Sequence, residues 1–127
     1  MNDLINIILD MSEEVWGYLG NGRSESVYHN ALALELRQGK VRYEYEYTRQ
    51  ILYKGHVVGV ISLDFLIDGK LIVELKARNK IDPSHVAQTQ AYQNTLFLPA
   101  LIINFPINPG KTEIEHQVLD WSDDVGE

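Results

Sequence analysis

The chain has 127 residues, of which 45% are apolar and 23% charged, a net charge of −7 and no cysteine. This suits one globular domain with one core (residues 1–127) rather than a disordered chain. It excludes disulfides and thiolate metal sites, and no apolar run approaches the roughly 18 residues that span a bilayer.

The first segment, MNDLINIILDMSEEVW, carries acids and no basic flank, so it does not read as a signal peptide. A soluble, cytoplasmic protein without membrane attachment is the expectation. Leu4, Ile5, Ile8, Met11, Val15 and Leu19 recur at helical spacing, which predicts an amphipathic helix from Met1 to about Leu19. Gly20-Asn21-Gly22 breaks it. Ser24 is placed to cap a second helix from about Glu25 to Gln38, with Val27, Ala31 and Leu34 as its stripe, Tyr28, Leu32 and Glu35 beside it, and Gly39 as its stop. Residues 42–53 alternate, so Tyr43, Tyr45 and Tyr47 are expected on one strand face, as a packed surface rather than a base-stacking one. Lys54-Gly55 turns the chain into a second strand, Val57–Ile67. Asp68-Gly69 is a hairpin signal leading to Leu71–Ala77, whose mostly apolar run LIVELKA marks a central strand. Pro83 and Ser84 open a helix to about Leu96. ALIINF follows as a fourth strand, residues 113–119 offer an edge strand, and WSDDVGE reads as a frayed tail. The order α-α-β-β-β-α-β, with a helical crossover between the third and fourth strands, permits parallel pairing there. The class is α/β.

The basic residues are unevenly spread. Residues 37–80 carry nine Lys and Arg against five acids, while the flanking thirds are strongly acidic. That is the stretch suited to a polyanionic partner. Within it, Glu74 and Lys76 are two apart on the central strand and share a face. Asp64 lies on the preceding strand, and the hairpin register decides whether it joins them. A two-residue loop pairs Ile67 with Lys70 and sets Asp64 against Val73. A loop that includes Lys70, or a bulge of the same effect, pairs Ile67 with Leu71 and sets Asp64 against Glu74. The second register is predicted, because it gathers both carboxylates on one face. Opposed acids repel unless a cation lies between them, and an all-oxygen site suits Mg²⁺ or Mn²⁺. Asp64, Glu74 and the main-chain carbonyl of Leu75 are the expected ligands, with Lys76 orienting water or offsetting charge on phosphorus.

Three further runs are GRSESVY (a G-x-x-E-x-x-Y pattern), HVAQTQAY and LIINF. Together with YKGHVVGVISLDFLIDGKLIVELKA, their order and spacing resemble the GxxExxY protein family, a branch of the PD-(D/E)XK nuclease superfamily, from about Ile8 to Val118. The resemblance implies a restriction-endonuclease-like core with a mixed four- to five-stranded sheet flanked by helices. It implies a metal-dependent nuclease cutting DNA, or less readily RNA. Glu25 resembles the first-helix acid that completes the metal site. Asp64, Glu74 and Lys76 resemble the D…E-x-K core. Gln88 and Tyr92 resemble a Q-x-x-x-Y element that orients the site, and Tyr28, Tyr92 and Arg78 fall on the substrate side. Leu63 replaces the proline of the superfamily's name, and no Arg follows Phe105, His116 being the nearest basic substitute. So small a nuclease has few contacts for substrate, which points to a homodimer or larger assembly. The alternative is a catalytically silent nucleic-acid-binding or protein-interaction module on the same fold.

Overall fold

The structure is a computed structural model and describes residues 1–122. The elements run α1 (Asn2–Leu19), α2 (Glu25–Gln38), β1 (Tyr43–Tyr53), β2 (His56–Ile67), β3 (Leu71–Lys76), α3 (Pro83–Leu96), β4 (Ala100–Asn104) and β5 (Glu115–Leu119). The frayed end expected of WSDDVGE falls, from residue 123 on, outside the described residues. The strands form one sheet in the order β1-β2-β3-β4-β5. β3 and β4 are parallel and the other neighbours antiparallel. A parallel pair needs a long connection, and α3 supplies it. This is the α/β architecture expected above, a mixed five-stranded sheet flanked by helices.

β3 is mostly apolar, and it is buried as far as Leu75 because both of its faces are covered. Leu71, Val73 and Leu75 pack with Phe65, Leu101 and Ile103 under α1 and α2, to which Ile5, Ile8, Tyr28, Leu32 and Leu36 contribute. Ile72 turns to the other side and joins Leu63, Leu66, Ala100 and Tyr92 of α3. Each such aliphatic side chain contributes about 1.5–3 kcal/mol on full burial, so the strand that carries Glu74 and Lys76 is firmly anchored in the sheet.

Two expectations need correcting. On α2 the buried residues are Tyr28, His29, Leu32, Ala33 and Leu36, not the Val27–Ala31–Leu34 stripe. Val27 and Leu34 are 37% and 46% exposed. Apolar groups lie on several sides of this helix, so periodicity does not select a face. Tyr28 does, stacking on Phe105 with ring centroids 4.3 Å apart and donating its hydroxyl to the Gly20 carbonyl at 2.6 Å. Ser24 holds the N-cap position, but its hydroxyl bonds Ser26 rather than the helix backbone.

The second correction concerns the tyrosines. Tyr43 and Tyr45 pack on Phe65, whereas Tyr47 joins the opposite cluster with Leu63. The change of side coincides with Glu46, which takes a left-handed conformation at φ 54°. One such residue breaks the two-residue alternation on which the shared face rested. Leu63 and Phe65 likewise fall in opposite clusters, with Asp64 between them.

The β2–β3 hairpin adopts the predicted register: Ile67 pairs with Leu71, Leu66 with Ile72 and Phe65 with Val73. Asp68 and Gly69 are both left-handed, at φ 51° and 64°. Lys70 donates its N–H to the Ile67 carbonyl at 2.8 Å, as in a two-residue turn. Lys70 is then an extra residue, a bulge, which shifts the pairing by one.

Candidate active site

The β2–β3 ladder stops at the Phe65–Val73 pair. The next two residues are Asp64 and Glu74, and their side chains take over the pairing. The Asp64 N–H donates to Glu74 Oε2 at 2.8 Å, and the Leu75 N–H donates to Asp64 Oδ2 at 2.8 Å. Glu46, the left-handed residue of β1, falls between the Tyr45–Phe65 and Tyr47–Leu63 pairs, level with Asp64. The strands thus part around Asp64. Main-chain donors that a regular ladder would satisfy are met by carboxylates, in charge-assisted bonds stronger than the neutral ones they replace.

Electrostatics here oppose full ionisation. Glu74 is 3% exposed. Burial first, and the neighbouring Asp64 charge second, push its pKa up to about 8. Burial also raises Asp64, although His29, the Leu75 N–H and Lys76 act the other way. Lys76 lowers the pKa of both acids, so its charge is felt in the gap. The Tyr92 phenol is raised by burial and then by the charges of Glu74 and Asp64, which sets α3 beside the same gap. Gln88 hydrogen-bonds Tyr92 from one turn earlier on α3.

Glu25 approaches from the first turn of α2. Its Oε1 accepts from the Ala77 N–H at 3.2 Å, tying the start of the helix to the end of β3. Arg78, just beyond, has its main chain clamped by buried Asn104: Oδ1 accepts from the Arg78 N–H at 2.9 Å, and Nδ2 donates to the Arg78 carbonyl at 3.0 Å. The Arg78 side chain is exposed. Tyr28 is 1% exposed with its hydroxyl satisfied. That leaves it no surface for a substrate, so its expected substrate-side role gives way to a core role. His116 is exposed on β5, opposite Ile103.

His85 belongs to a capping box: Asp82 accepts from the N–H groups of Ser84 and His85, and His85 Nδ1 accepts from the Asp82 N–H. The Ser84 hydroxyl holds the Asp82 carboxyl below its usual range.

His29 went unnoticed in the sequence. Buried at 7% exposure, it hydrogen-bonds the Tyr45 hydroxyl through Nδ1 at 2.9 Å. Its Nε2 lies 3.4 Å from Asp64 Oδ2, 3.4 Å from the Leu75 carbonyl and 3.9 Å from Glu25 Oε2. The signal was available: His29 is four residues after Glu25, hence on the same helical face.

Among the described residues, no three His, Asp or Glu side chains are drawn tightly enough together to grip an ion as they stand. The donor set nonetheless fits a hard divalent cation. Each acid commits one oxygen to a main-chain N–H, leaving the other for a ligand. A cation between Asp64 and Glu74 would offset the burial that raises both pKa values and the Asp64 charge that raises Glu74 further.

The profile of the PD-(D/E)XK nuclease superfamily matches residues 2–117, nearly the whole chain. The chain belongs to the PD-(D/E)XK nuclease superfamily. Membership carries a nuclease-type, phosphodiester-hydrolysing function at superfamily level. Such nucleases generally use divalent metal and act on nucleic acid, which agrees with the acids that flank the strand gap. Among curated proteins and among solved structures there is no match. No helix among the described residues is long and apolar enough to cross a membrane.

Proposed function

We propose that this member of the superfamily is a Mg²⁺- or Mn²⁺-dependent nuclease acting on DNA. The observation that carries the reading is the pair of carboxylates at the strand gap, Asp64 and Glu74, each holding a main-chain N–H of the facing strand. The carboxylates of Glu25, Asp64 and Glu74 and the Leu75 carbonyl would hold the ion. When bound, the ion supplies Lewis acidity toward a phosphate oxygen and lowers the pKa of a water.

The chain's own residues do the rest. Lys76, on the same strand face as Glu74, offsets negative charge growing on phosphorus and orients the attacking water. Tyr92 and Gln88, bonded to each other on α3, border the acids and steady the nucleic-acid backbone. Arg78, exposed and held at its main chain by Asn104, gives the phosphates a cation. Glu25 retains 38% and Asp64 22% of its side-chain surface, so the centre is approached from their side with Glu74 buried behind them.

The test is cleavage of plasmid and oligonucleotide DNA with Mg²⁺ or Mn²⁺, against an EDTA control. Lys76→Ala should lose about 100-fold or more in rate in a chain that still folds, as checked by circular dichroism. Cleavage that survives both Lys76→Ala and Glu74→Ala would come from a contaminant. Salt-sensitive DNA binding without turnover would instead identify a silent binding module, and RNA in place of DNA as substrate would correct the substrate class.

A further inference from the structure

The side chain of His29 is 9% exposed, and its ring is fixed on three sides. It meets Tyr45 edge-on, with centroids 5.7 Å apart and an 88° interplanar angle, and lies tilted against Phe65 at 5.9 Å. The bond between Nδ1 and the Tyr45 hydroxyl sets the ring's rotation. Nε2 therefore points at three oxygens: Asp64 Oδ2 at 3.4 Å, the Leu75 carbonyl at 3.4 Å and Glu25 Oε2 at 3.9 Å. These belong to three of the four groups assigned to the ion above.

The spacing is informative. An ordinary N–H···O hydrogen bond is about 2.7–3.2 Å long, shorter than all three. Around a small octahedral cation with ligands at about 2.1 Å, neighbouring ligand atoms stand about 3 Å apart. Nε2 makes only a long hydrogen bond to the Leu75 carbonyl, and an inward shift of about half an ångström would bring it and the Asp64 oxygen to the spacing of neighbouring ligands. A nine-tenths buried ring nitrogen aimed into a cluster of oxygens has another use besides hydrogen bonding.

We propose that His29 Nε2 is a nitrogen ligand of this same metal centre and biases it toward Mn²⁺ over Mg²⁺. The inference rests on the metal-dependent reading above. Mg²⁺ takes oxygen ligands and demands near-ideal geometry, so a nitrogen at one corner handicaps it. First-row transition ions accept imidazole beside carboxylate. Ligating histidines hold their second ring nitrogen in an outer hydrogen bond that fixes tautomer and orientation, and Tyr45 occupies that position.

The experiment is pulsed EPR of Mn²⁺ added to the full chain, paired with competition calorimetry using MnCl₂ and MgCl₂. Wild type should show ¹⁴N modulation from a directly bound imidazole. His29→Gln should lose the modulation, and its Mn²⁺-over-Mg²⁺ preference should fall about tenfold. Tyr45→Phe should keep the modulation but bind Mn²⁺ about 10- to 100-fold more weakly. Should His29→Gln fail to fold, the triple variant His56→Gln, His85→Gln, His116→Gln, with His29 as its single histidine, must retain the modulation. Mn²⁺ bound without ¹⁴N coupling overturns the ligand role of His29 and leaves the nuclease reading intact. Absence of any Mn²⁺ binding removes the centre itself, and with it both readings.

Discussion

At the scale of single residues, Glu74 carries opposed demands. It satisfies the Asp64 N–H as an acceptor, yet burial and the Asp64 charge disfavour its ionised form. Such a group is costly to keep unless a cation or substrate uses it. Glu74→Gln should therefore abolish cleavage while raising the melting temperature at pH 8.5 in EDTA, because a neutral amide retains an acceptor without the buried charge. A melting temperature that falls with the activity would mean that Glu74 serves only as a fold-stabilising acceptor. His29 teaches a related lesson. One histidine in a helix is unremarkable by its spacing, and its interest comes from what β2 and β3 bring to it: the Asp64 carboxylate and the Leu75 carbonyl.

At the scale of elements, the β2–β3 hairpin controls the site. Side chains alternate along a strand, so a slip of one residue moves a whole set to the other face. Lys70, the bulge residue, sets the register that brings Asp64 beside Glu74. Deleting Lys70 removes the bulge but still pairs Ile67 with Leu71 across the two-residue turn, so Asp64 should stay beside Glu74 and Mn²⁺ binding should persist by calorimetry. Lost binding would show that the bulge itself, and not only the register, holds the two acids together. Gly69 sits at φ 64°, and left-handed backbone costs a residue with a Cβ about 1–2 kcal/mol. Gly69→Val should lower stability by about that amount in urea unfolding, without altering the cleavage rate per folded molecule.

At the scale of the whole molecule, the buried acids tie stability to pH and to metal. Glu74 titrates near 8 in the folded chain, against 4.5 for its ordinary value. Between those values the native state holds a proton that the unfolded state has lost, so stability falls as pH rises through that window. Asp64, also raised, acts in the same direction from its lower starting value. The melting temperature in EDTA should accordingly drop between pH 5 and pH 8.5. Mn²⁺ should restore it at the higher pH, by about 2.7 kcal/mol of stability at a hundredfold excess over Kd. A profile flat with pH, or indifferent to millimolar Mn²⁺, would count against a shared carboxylate centre.

Much of this was legible in the order of residues. The helices and strands show as periods of 3.6 and 2, the stops as Gly20-Asn21-Gly22, Lys54-Gly55 and Asp68-Gly69, and the central position of β3 as a mostly apolar run. These are local properties, which neighbours in sequence determine through backbone sterics and solvent exposure. The D…E-x-K pattern was visible for the same reason. Only the tertiary structure decided which face of α2 is buried, where β1 and β2 change sides, that Tyr28 belongs to the core, and that His29 meets the acids. Each of those depends on residues far apart in the chain: Phe105 stacked on Tyr28, Tyr45 bonded to His29, and two strands parting at Asp64. Periodicity says that a residue has a face, and only packing says what that face meets.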